Sequence, residues 1–239
     1  MQMEDIKYKK VGSLVAEDYK YADIFKKYGI DFCCGGGVSV EEACKKKGVN
    51  CEQLVNDLLA VNGNSRDITG AKDWPLDKLI NHIINVHHTY VKENIPLLLE
   101  YSNKVAKVHG DRHPETIEIN RQIYALVDEL LPHLTKEETI LFPYILKLLE
   151  AKTQPNPSFG TVQNPIRVMM DEHDAAGEIM RSISELSSAY TPPVDACATY
   201  KVLYQKLQEF ENDLHQHIHL ENNILFPRAT EAEQSFQST

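Results

Sequence analysis

An eleven-residue string occurs twice in the second half of the sequence and constrains the fold more than any other feature. One copy runs from His133 to Pro143 and the other from His217 to Pro227, and both read His-x-x-x-Glu-x-x-Ile-Leu-Phe-Pro. A repeat of this length indicates that the region consists of two similar helical hairpins. Each hairpin is expected to contribute the same ligands to a common site.

The spacing within each copy places two polar groups on one helix face. Positions four apart in an α-helix differ by about 40° in direction and by roughly 6 Å along the axis. His133 therefore lies beside Glu137, and His217 beside Glu221, each pair on the apolar stripe of its helix. Ionisable groups on a buried face cost several kcal/mol unless they are paired or bound to metal.

A lone histidine on each of the other two helices completes the pattern. His173 falls on the apolar face of its own helix, and a first-helix histidine is spaced from it much as the two strings are spaced. His87 and His88 are adjacent and both border the apolar stripe, so spacing leaves the first-helix ligand open between them. The other histidines lack such partners and are predicted to be surface or supporting residues: His82, His109, His113, His215 and His219.

Four imidazoles and two carboxylates divide into two metal ions, each bound by two histidines and bridged by both glutamates. Carboxylate with imidazole and without thiolate suits iron or manganese. Six protein ligands leave each ion an open position for water, oxide or a diatomic molecule. A single His-x-x-x-Glu is ordinarily a surface charge pair, but its repetition on two core faces favours the metal site.

Helical patterns cover most of the chain and predict an all-α protein. Residues 1–62 predict a small domain with three helices, residues 63–73 a turn-rich linker, and residues 74–239 an antiparallel up-down four-helix bundle. The four long helices are predicted at about residues 73–109, 113–150, 164–190 and 191–227. Kinks are expected at Pro96 and Pro132.

The small domain carries Cys33 and Cys34, followed by three glycines, in what is predicted to be a tight, exposed loop. Adjacent cysteines cannot form an unstrained disulfide with each other. Exposed thiols would be accessible to a partner, to a metal in transit or to nitrosative modification. Cys44, Cys51 and Cys197 lie in helical patterns and are predicted to be small packing residues.

Composition limits the kinds of partner and the compartment that are expected for this chain. The chain has 35 acidic against 25 basic residues, and its formal net charge of -10 argues against nucleic acid. The first residues lack an apolar signal segment, and no apolar run approaches the roughly 20 residues of a membrane span. Five dispersed cysteines suit a reducing compartment. We therefore expect a cytoplasmic protein with no membrane partner, and leave its oligomeric state open between monomer and dimer.

The sequence resembles the iron–sulfur cluster repair di-iron proteins, the Repair of Iron Centres family (YtfE/ScdA group). The resemblance covers nearly the whole chain and rests on residues 28–36, on Asp171-Glu172-His173-Asp174 and on the second copy of the repeated string. It implies a hemerythrin-like bundle with an oxo- or hydroxo-bridged di-iron centre, and favours His88 over His87. The implied ligands are four terminal histidines and two bridging carboxylates: His88, His133, His173, His217, Glu137 and Glu221.

The resemblance also implies a function, the restoration of iron–sulfur clusters damaged by nitric oxide or peroxide. The di-iron centre would supply iron, and damaged iron–sulfur client proteins would be the partners. Glu129 and Glu172 match acidic residues beside the centre, Glu129 also lying one turn before His133, and the match favours a thiol role for Cys33 and Cys34. The alternatives are a nitric oxide-reducing enzyme and a hemerythrin-like module that binds a diatomic gas, so conventional enzymatic turnover stays open.

Overall fold

The computed structural model describes residues 3–60 and 70–237. In this part of the chain the secondary structure is helical, with a single isolated β-bridge between Lys10 and Ser39, which confirms the all-α prediction. Residues 63–69 of the predicted linker lie outside the described residues. None of the described helices is both long enough and apolar enough to cross a bilayer.

The N-terminal unit has five short helices, two more than predicted. They are α1 (Met3–Tyr8), α2 (Val11–Glu17), α3 (Lys20–Lys27), α4 (Val40–Lys47) and α5 (Cys51–Ala60). The predicted helix signals hold for α3 and α4. Gly29 follows α3 with φ +65°, and Ser39 opens α4 with a capping box in which its hydroxyl accepts the backbone N–H of Glu42 at 3.2 Å.

The second part of the chain consists of four long helical stretches, three of which contain a π-helical segment. The first joins α6 (Leu76–His82), π1 (Ile83–His88) and α7 (Thr89–His109); the second joins α8 (Glu115–Lys136), π2 (Glu137–Leu141) and α9 (Phe142–Glu150). The third is α10 (Gln163–Leu186), and the fourth joins α11 (Ala198–Leu220), π3 (Glu221–Leu225) and α12 (Phe226–Gln234). Around the bundle, α7 packs on α8, α8 on α10, α10 on α11, and α11 on α7.

The π segments follow from the repeated string. Pro143 and Pro227 lack a backbone N–H, and their rings would clash with the carbonyl four residues earlier in a regular α-helix. A wider i→i+5 turn relieves this conflict, so π2 and π3 lie directly before Phe142-Pro143 and Phe226-Pro227. Pro96 and Pro132, where kinks were predicted, lie inside continuous α-helices, and neither ends its helix.

Three predicted helix limits were wrong, one of them the end of the fourth helical stretch, which continues past Pro227 to Gln234. The third helix ends at Leu186, before Tyr190, because the next turn is left-handed: Ser188, Ala189 and Tyr190 have φ values of 50°, 54° and 60°. The prolines after Thr191 do not open the fourth helix, which begins at Ala198 instead. The chain is non-helical between these two points.

The N-terminal unit packs directly on the bundle. Helix α2 contacts π3 and α11, and buried apolar residues of the two parts form one continuous core. Lys26 crosses the boundary and pairs with Glu211 at 2.9 Å. The rings of Phe32 and Tyr19 both pack against the buried His219 of α11. The cysteine loop is therefore held against the helices that carry the repeated string.

Candidate metal centre

The six predicted ligands converge in the middle of the bundle and are all buried. His88, His217 and the two glutamates form one group whose donor atoms lie within 4.8 Å of one another, and His133, His173 and the same glutamates form a second. Glu137 and Glu221 belong to both groups. The geometry is therefore that of two ion positions sharing two carboxylates.

The distances between donor atoms fit this arrangement. The Nε2 atoms of His133 and His173 are 3.0 Å apart, and those of His88 and His217 are 3.2 Å apart. Two imidazole nitrogens bound side by side to an octahedral ion at about 2.1 Å would lie about 3.0 Å apart. Each imidazole also lies 3.1–3.4 Å from a carboxylate oxygen of Glu137 or Glu221.

The π segments set the position of the carboxylates. Glu137 is the first residue of π2, Glu221 is the first residue of π3, and His88 is the last residue of π1. In each of these three helices the π turn occurs at the ligand residue. The ligand can therefore be placed independently of the register in which the rest of the helix packs. π segments are often found at functional sites for this reason.

Polar partners fix the outer nitrogen of three of the four histidines. The Nδ1 atom of His88 lies 2.7 Å from Glu138, and that of His173 lies 2.9 Å from the Asn222 amide oxygen. Such partners orient a ligating imidazole and raise its basicity. Sequence reasoning missed both residues, although each directly follows a central glutamate in the repeated string.

His133 receives the partner that the sequence predicted. Its Nδ1 lies 2.8 Å from Glu172, which also pairs with Lys136. Glu138 is held in the same way by Lys92 at 2.7 Å. These lysines keep both outer carboxylates ionised: burial alone would raise their pKa values, but the lysine and histidine partners lower them.

His217 breaks this symmetry. Its Nδ1 is buried and has no hydrogen-bond partner, and its ring stacks parallel to that of His87 at 5.6 Å. His87, the other candidate from the sequence, faces away from the cluster and contacts Asp213 at 2.9 Å. One ion position therefore has a polar partner behind both imidazoles and the other behind only one.

The electrostatics of the cluster favour bound cations. Burial, reinforced by the neighbouring Glu221, raises the pKa of Glu137 well above its usual range. Burial would also raise the pKa of Glu221, but the charge and hydrogen bonds of His217 and His173 lower it. Burial followed by repulsion from a neighbouring histidine lowers the pKa of both His88 and His133 to about 4.

The residues present fit a metal site on chemical grounds. Neither oxygen of Glu137 has a hydrogen-bond donor, although both are buried. Fully buried, unpaired carboxylates are strongly destabilising without a compensating positive charge. Two cations placed between neutral imidazoles and two carboxylates would satisfy the orphaned oxygens.

Glu129 lies beside the cluster, and the outlying histidines differ in their exposure. Glu129 is exposed and forms no hydrogen bond to any residue that the structure describes, although it lines a narrow cavity of about 10 Å³ with His133. His109 and His219, predicted as surface or supporting residues, are both buried. His109 contacts the Cys197 sulfur at 3.2 Å at the far end of the bundle.

The predictions for the cysteines need two corrections. The cysteine side chains are less exposed than predicted, because Cys33 is 4% accessible and Cys34 is half-buried, although Gly35 and Gly37 of the same loop are exposed. Cys34 Sγ lies 3.7 Å from the backbone oxygen of His173. Cys197 is exposed and precedes α11, so it is not a packing residue, whereas Cys44 is buried as predicted.

Asn223 ties this loop to the metal cluster. Its amide donates to the carbonyl oxygens of Phe32 and Cys33 at 3.4 and 3.2 Å. Asn223 is the second residue after Glu221 and lies in π3. The cysteine loop and the bridging carboxylate are therefore positioned by the same helical turn.

The chain matches two protein-family models. Residues 7–62 match a domain of unknown function (DUF542, ScdA N-terminal), and residues 79–229 match the hemerythrin HHE cation-binding domain. The second match, like the buried donor groups, is that of a metal-binding protein.

Curated relatives match the chain over most of its length. The chain is 35% identical to the iron–sulfur cluster repair protein ScdA of Staphylococcus haemolyticus, over 90% of this chain and 95% of the relative. It is 41% identical to a probable iron–sulfur cluster repair protein of Haemophilus influenzae, over 86% and 89%. It is 35% identical to the iron–sulfur cluster repair protein YtfE of an Enterobacter strain, over 93% and 97%.

Proposed function

The chain belongs to the family of iron–sulfur cluster repair proteins, and from this we propose that it repairs damaged iron–sulfur clusters by means of a di-iron centre in its bundle. One ion would be held by His88 and His217 and the other by His133 and His173, with Glu137 and Glu221 bridging them. The observation that carries the proposal is the buried donor set shared between two ion positions. Relatives that this chain matches over most of their length carry the repair function in their names.

We propose iron as the metal, because the donor set is compatible with it and the relatives are named for the repair of iron–sulfur clusters. Carboxylate and imidazole ligands without thiolate suit iron or manganese, and the carboxylates lie where they can bridge two ions. When bound, the centre supplies exchangeable iron and redox chemistry. The protein's own residues hold the imidazoles in one orientation through Glu138, Glu172 and Asn222.

In this proposal iron is also the cargo delivered to a damaged client cluster. Each ion position has four candidate protein ligands, two imidazoles and two shared carboxylates, fewer than the six that octahedral iron accepts. An ion with unfilled positions can exchange a protein ligand for one from a partner. Damage by nitric oxide or peroxide is the context in which such a donor is needed.

A second candidate function is binding or reduction of nitric oxide or another diatomic molecule. The positions that four protein ligands would leave open on each ion favour this candidate. The adjoining cavity of about 10 Å³ beside His133, His173 and His217 holds about one water molecule, so a diatomic ligand would have to displace that water or bind directly in an open position. Multiple-turnover formation of nitrous oxide with a reductant would demonstrate this function, and it would coexist with repair at the same centre.

The first test is metal content and repair on the same preparation. The chain is expressed in iron-replete cells, and iron per chain is measured together with the absorption spectrum. We expect about two iron ions per chain and an oxo-bridge band. The loaded protein should then restore activity to an iron–sulfur enzyme inactivated by peroxide or nitric oxide, whereas the metal-free protein should not.

Substitution of Glu137→Leu tests the site directly. It removes a shared ligand and should abolish both iron binding and repair. Glu118→Leu is the matched control, because Glu118 lies on the same helical stretch but is occupied by an exposed pair with Arg121. Full iron content and repair in the Glu137→Leu protein would contradict the proposed centre.

A further inference from the structure

We propose that Asp31, Cys33 and Cys34 form a second metal site, separate from the His/Glu centre and selective for a thiophilic divalent ion such as ferrous iron or zinc. Only the identity of the ion in the cell rests on the proposed function: if the protein repairs clusters, the ion would be iron in transit. Within the described residues these three side chains and the two bundle groups are the clusters whose donor atoms approach closely enough for a metal.

The donor atoms are spaced as metal ligands. The two cysteine Sγ atoms are 3.9 Å apart, and Cys33 Sγ lies 3.2 Å from Asp31 Oδ1. Two thiolates bound tetrahedrally to one ion at about 2.3 Å would lie roughly 3.8 Å apart. The sulfurs are therefore already close to the separation that a shared ion requires, without a change in the backbone.

The loop is held in this geometry by contacts that do not use the sulfurs. Asp31 Oδ1 accepts the backbone N–H groups of Cys33 and Cys34, both at 3.0 Å. Gly36 is required for the packing of the loop, because a Cβ there would lie 2.3 Å from the Phe32 oxygen and 2.9 Å from the Gly12 Cα. Asn223 holds the other side of the loop through two carbonyls.

A cavity of about 290 Å³ opens over these three residues at the boundary between the N-terminal unit and the bundle. Three donors leave a tetrahedral ion one position short. A side chain of a partner protein, or a small ligand, would reach that position through the cavity. The site thus has the open position that structural metal sites lack.

The charges around the cavity fit an occupied site. Binding of one divalent ion as a dithiolate releases two thiol protons to solvent, and with the Asp31 carboxylate the complex carries a net charge of about −1. Besides Asp31, the cavity is lined by three cations (Lys26, Lys47, Arg181) and two anions (Glu185 and Glu211, the latter paired with Lys26), which is a formal charge of +1. These cations would offset the charge of the complex, whereas hard ions such as Mg²⁺ would gain little from sulfur ligands.

Cobalt is the probe for this site. The full-length chain carrying its bundle metal is titrated with Co²⁺ under anaerobic, thiol-reducing conditions, and the difference spectrum is followed. We expect a thiolate-to-cobalt charge-transfer band that saturates at about one added ion per chain. Absence of the band would overturn the proposal.

Two variants separate ligation from loop structure. Asp31→Asn keeps an oxygen that can accept the two backbone N–H groups but removes the anionic ligand, and should lower the cobalt affinity by about tenfold or more. Cys34→Ser should reduce the band by about half or abolish it. Cys51→Ser, at a half-buried cysteine outside the loop, is the control and should leave the band intact. A band of unchanged intensity and affinity in both loop variants would overturn the assignment.

The outcomes for the two sites are distinguishable. If the band is absent while the bundle retains iron and repairs clusters, the second site is wrong and the proposed function stands. If the band behaves as expected while repair fails, the second site stands and the proposed function is wrong.

Discussion

Gly12 tests whether the cysteine loop is clamped as the structure indicates. Gly12 lies in α2, where alanine is intrinsically preferred over glycine by at most about 1 kcal/mol. Propensity alone therefore predicts that Gly12→Ala stabilises the protein. The packing predicts the opposite, because the added Cβ would lie 2.1 Å from Asn223 Oδ1 and 2.7 Å from Asn223 Cγ.

The expected loss of stability follows from the hydrogen bonds that Asn223 makes. Its displacement would release the hydrogen bonds to Phe32 and Cys33 and the contact with His219 Nδ1 at 3.2 Å. At about 1 kcal/mol for each bond, the loss is about 2–3 kcal/mol, which exceeds the helix gain. The net effect should be about 1–2 kcal/mol of destabilisation at the loop, which is roughly a 5–30-fold increase in its open population.

Thiol reactivity measures this population directly. Cys33 is buried, so it reacts with a thiol reagent only when the loop opens, and its modification is followed by peptide mass mapping. Gly177→Ala is the matched control, because its Cβ would make an ordinary 3.8 Å contact with Cys34 Sγ and should stabilise α10 by about 1 kcal/mol. Modification of Cys33 in Gly12→Ala at the wild-type rate or slower would refute the clamp.

Three further predictions concern single side chains. Glu138→Ala removes the partner of His88 Nδ1 and should weaken metal binding by about 10–100-fold, measured by competition with a chelator; unchanged affinity would show that the contact is incidental. Burial lowers the pKa of His219 to about 3 in the folded protein, against about 6.5 in the unfolded chain. The free energy of unfolding therefore has its full contribution from His219 above about pH 6.5 and loses up to roughly 4–5 kcal/mol as the pH falls towards 3. His219→Gln should flatten the dependence of the urea midpoint on pH, and an unaltered slope would contradict this. Glu233 is buried and accepts hydrogen bonds from the Tyr144 hydroxyl at 2.6 Å and from the Val162 backbone N–H, just before α10, at 2.9 Å. Glu233→Ala should therefore lower the free energy of unfolding, measured by chemical denaturation, by about 2–3 kcal/mol. A loss below about 0.5 kcal/mol would show that water replaces the carboxylate.

The bundle and its ligand positions could be predicted because their signal is local and repeated. A histidine and a glutamate four residues apart must lie on the same helix face. The second copy of the pair indicates that two such faces line the same core. The choice between His87 and His88 could not be made this way, since the π turn of π1 shifts the register at that point.

Features that depend on contacts between distant parts of the chain were missed. The cysteines were predicted to be exposed from the glycines beside them, but Cys33 is buried, and Asn223, far away in sequence, holds the loop against the bundle. The left-handed turn at Ser188 contains no glycine in its three positive-φ residues and so gave no local warning. By contrast, Glu138 and Asn222 could have been found by comparing the residue after the central glutamate in the two copies.

The sharing of ligands between the two hairpins has a consequence for biosynthesis. Each ion position takes one histidine from the first hairpin and one from the second, so neither hairpin alone contains a complete site. A nascent chain that has emerged only through α9 therefore lacks both ion positions and has no assembled centre in which to retain iron. Under the proposed function, metal would bind only the closed bundle, and this selective binding would stabilise finished molecules over truncated ones. The order of the ligands along the chain would thus delay metal acquisition until synthesis of the bundle is complete.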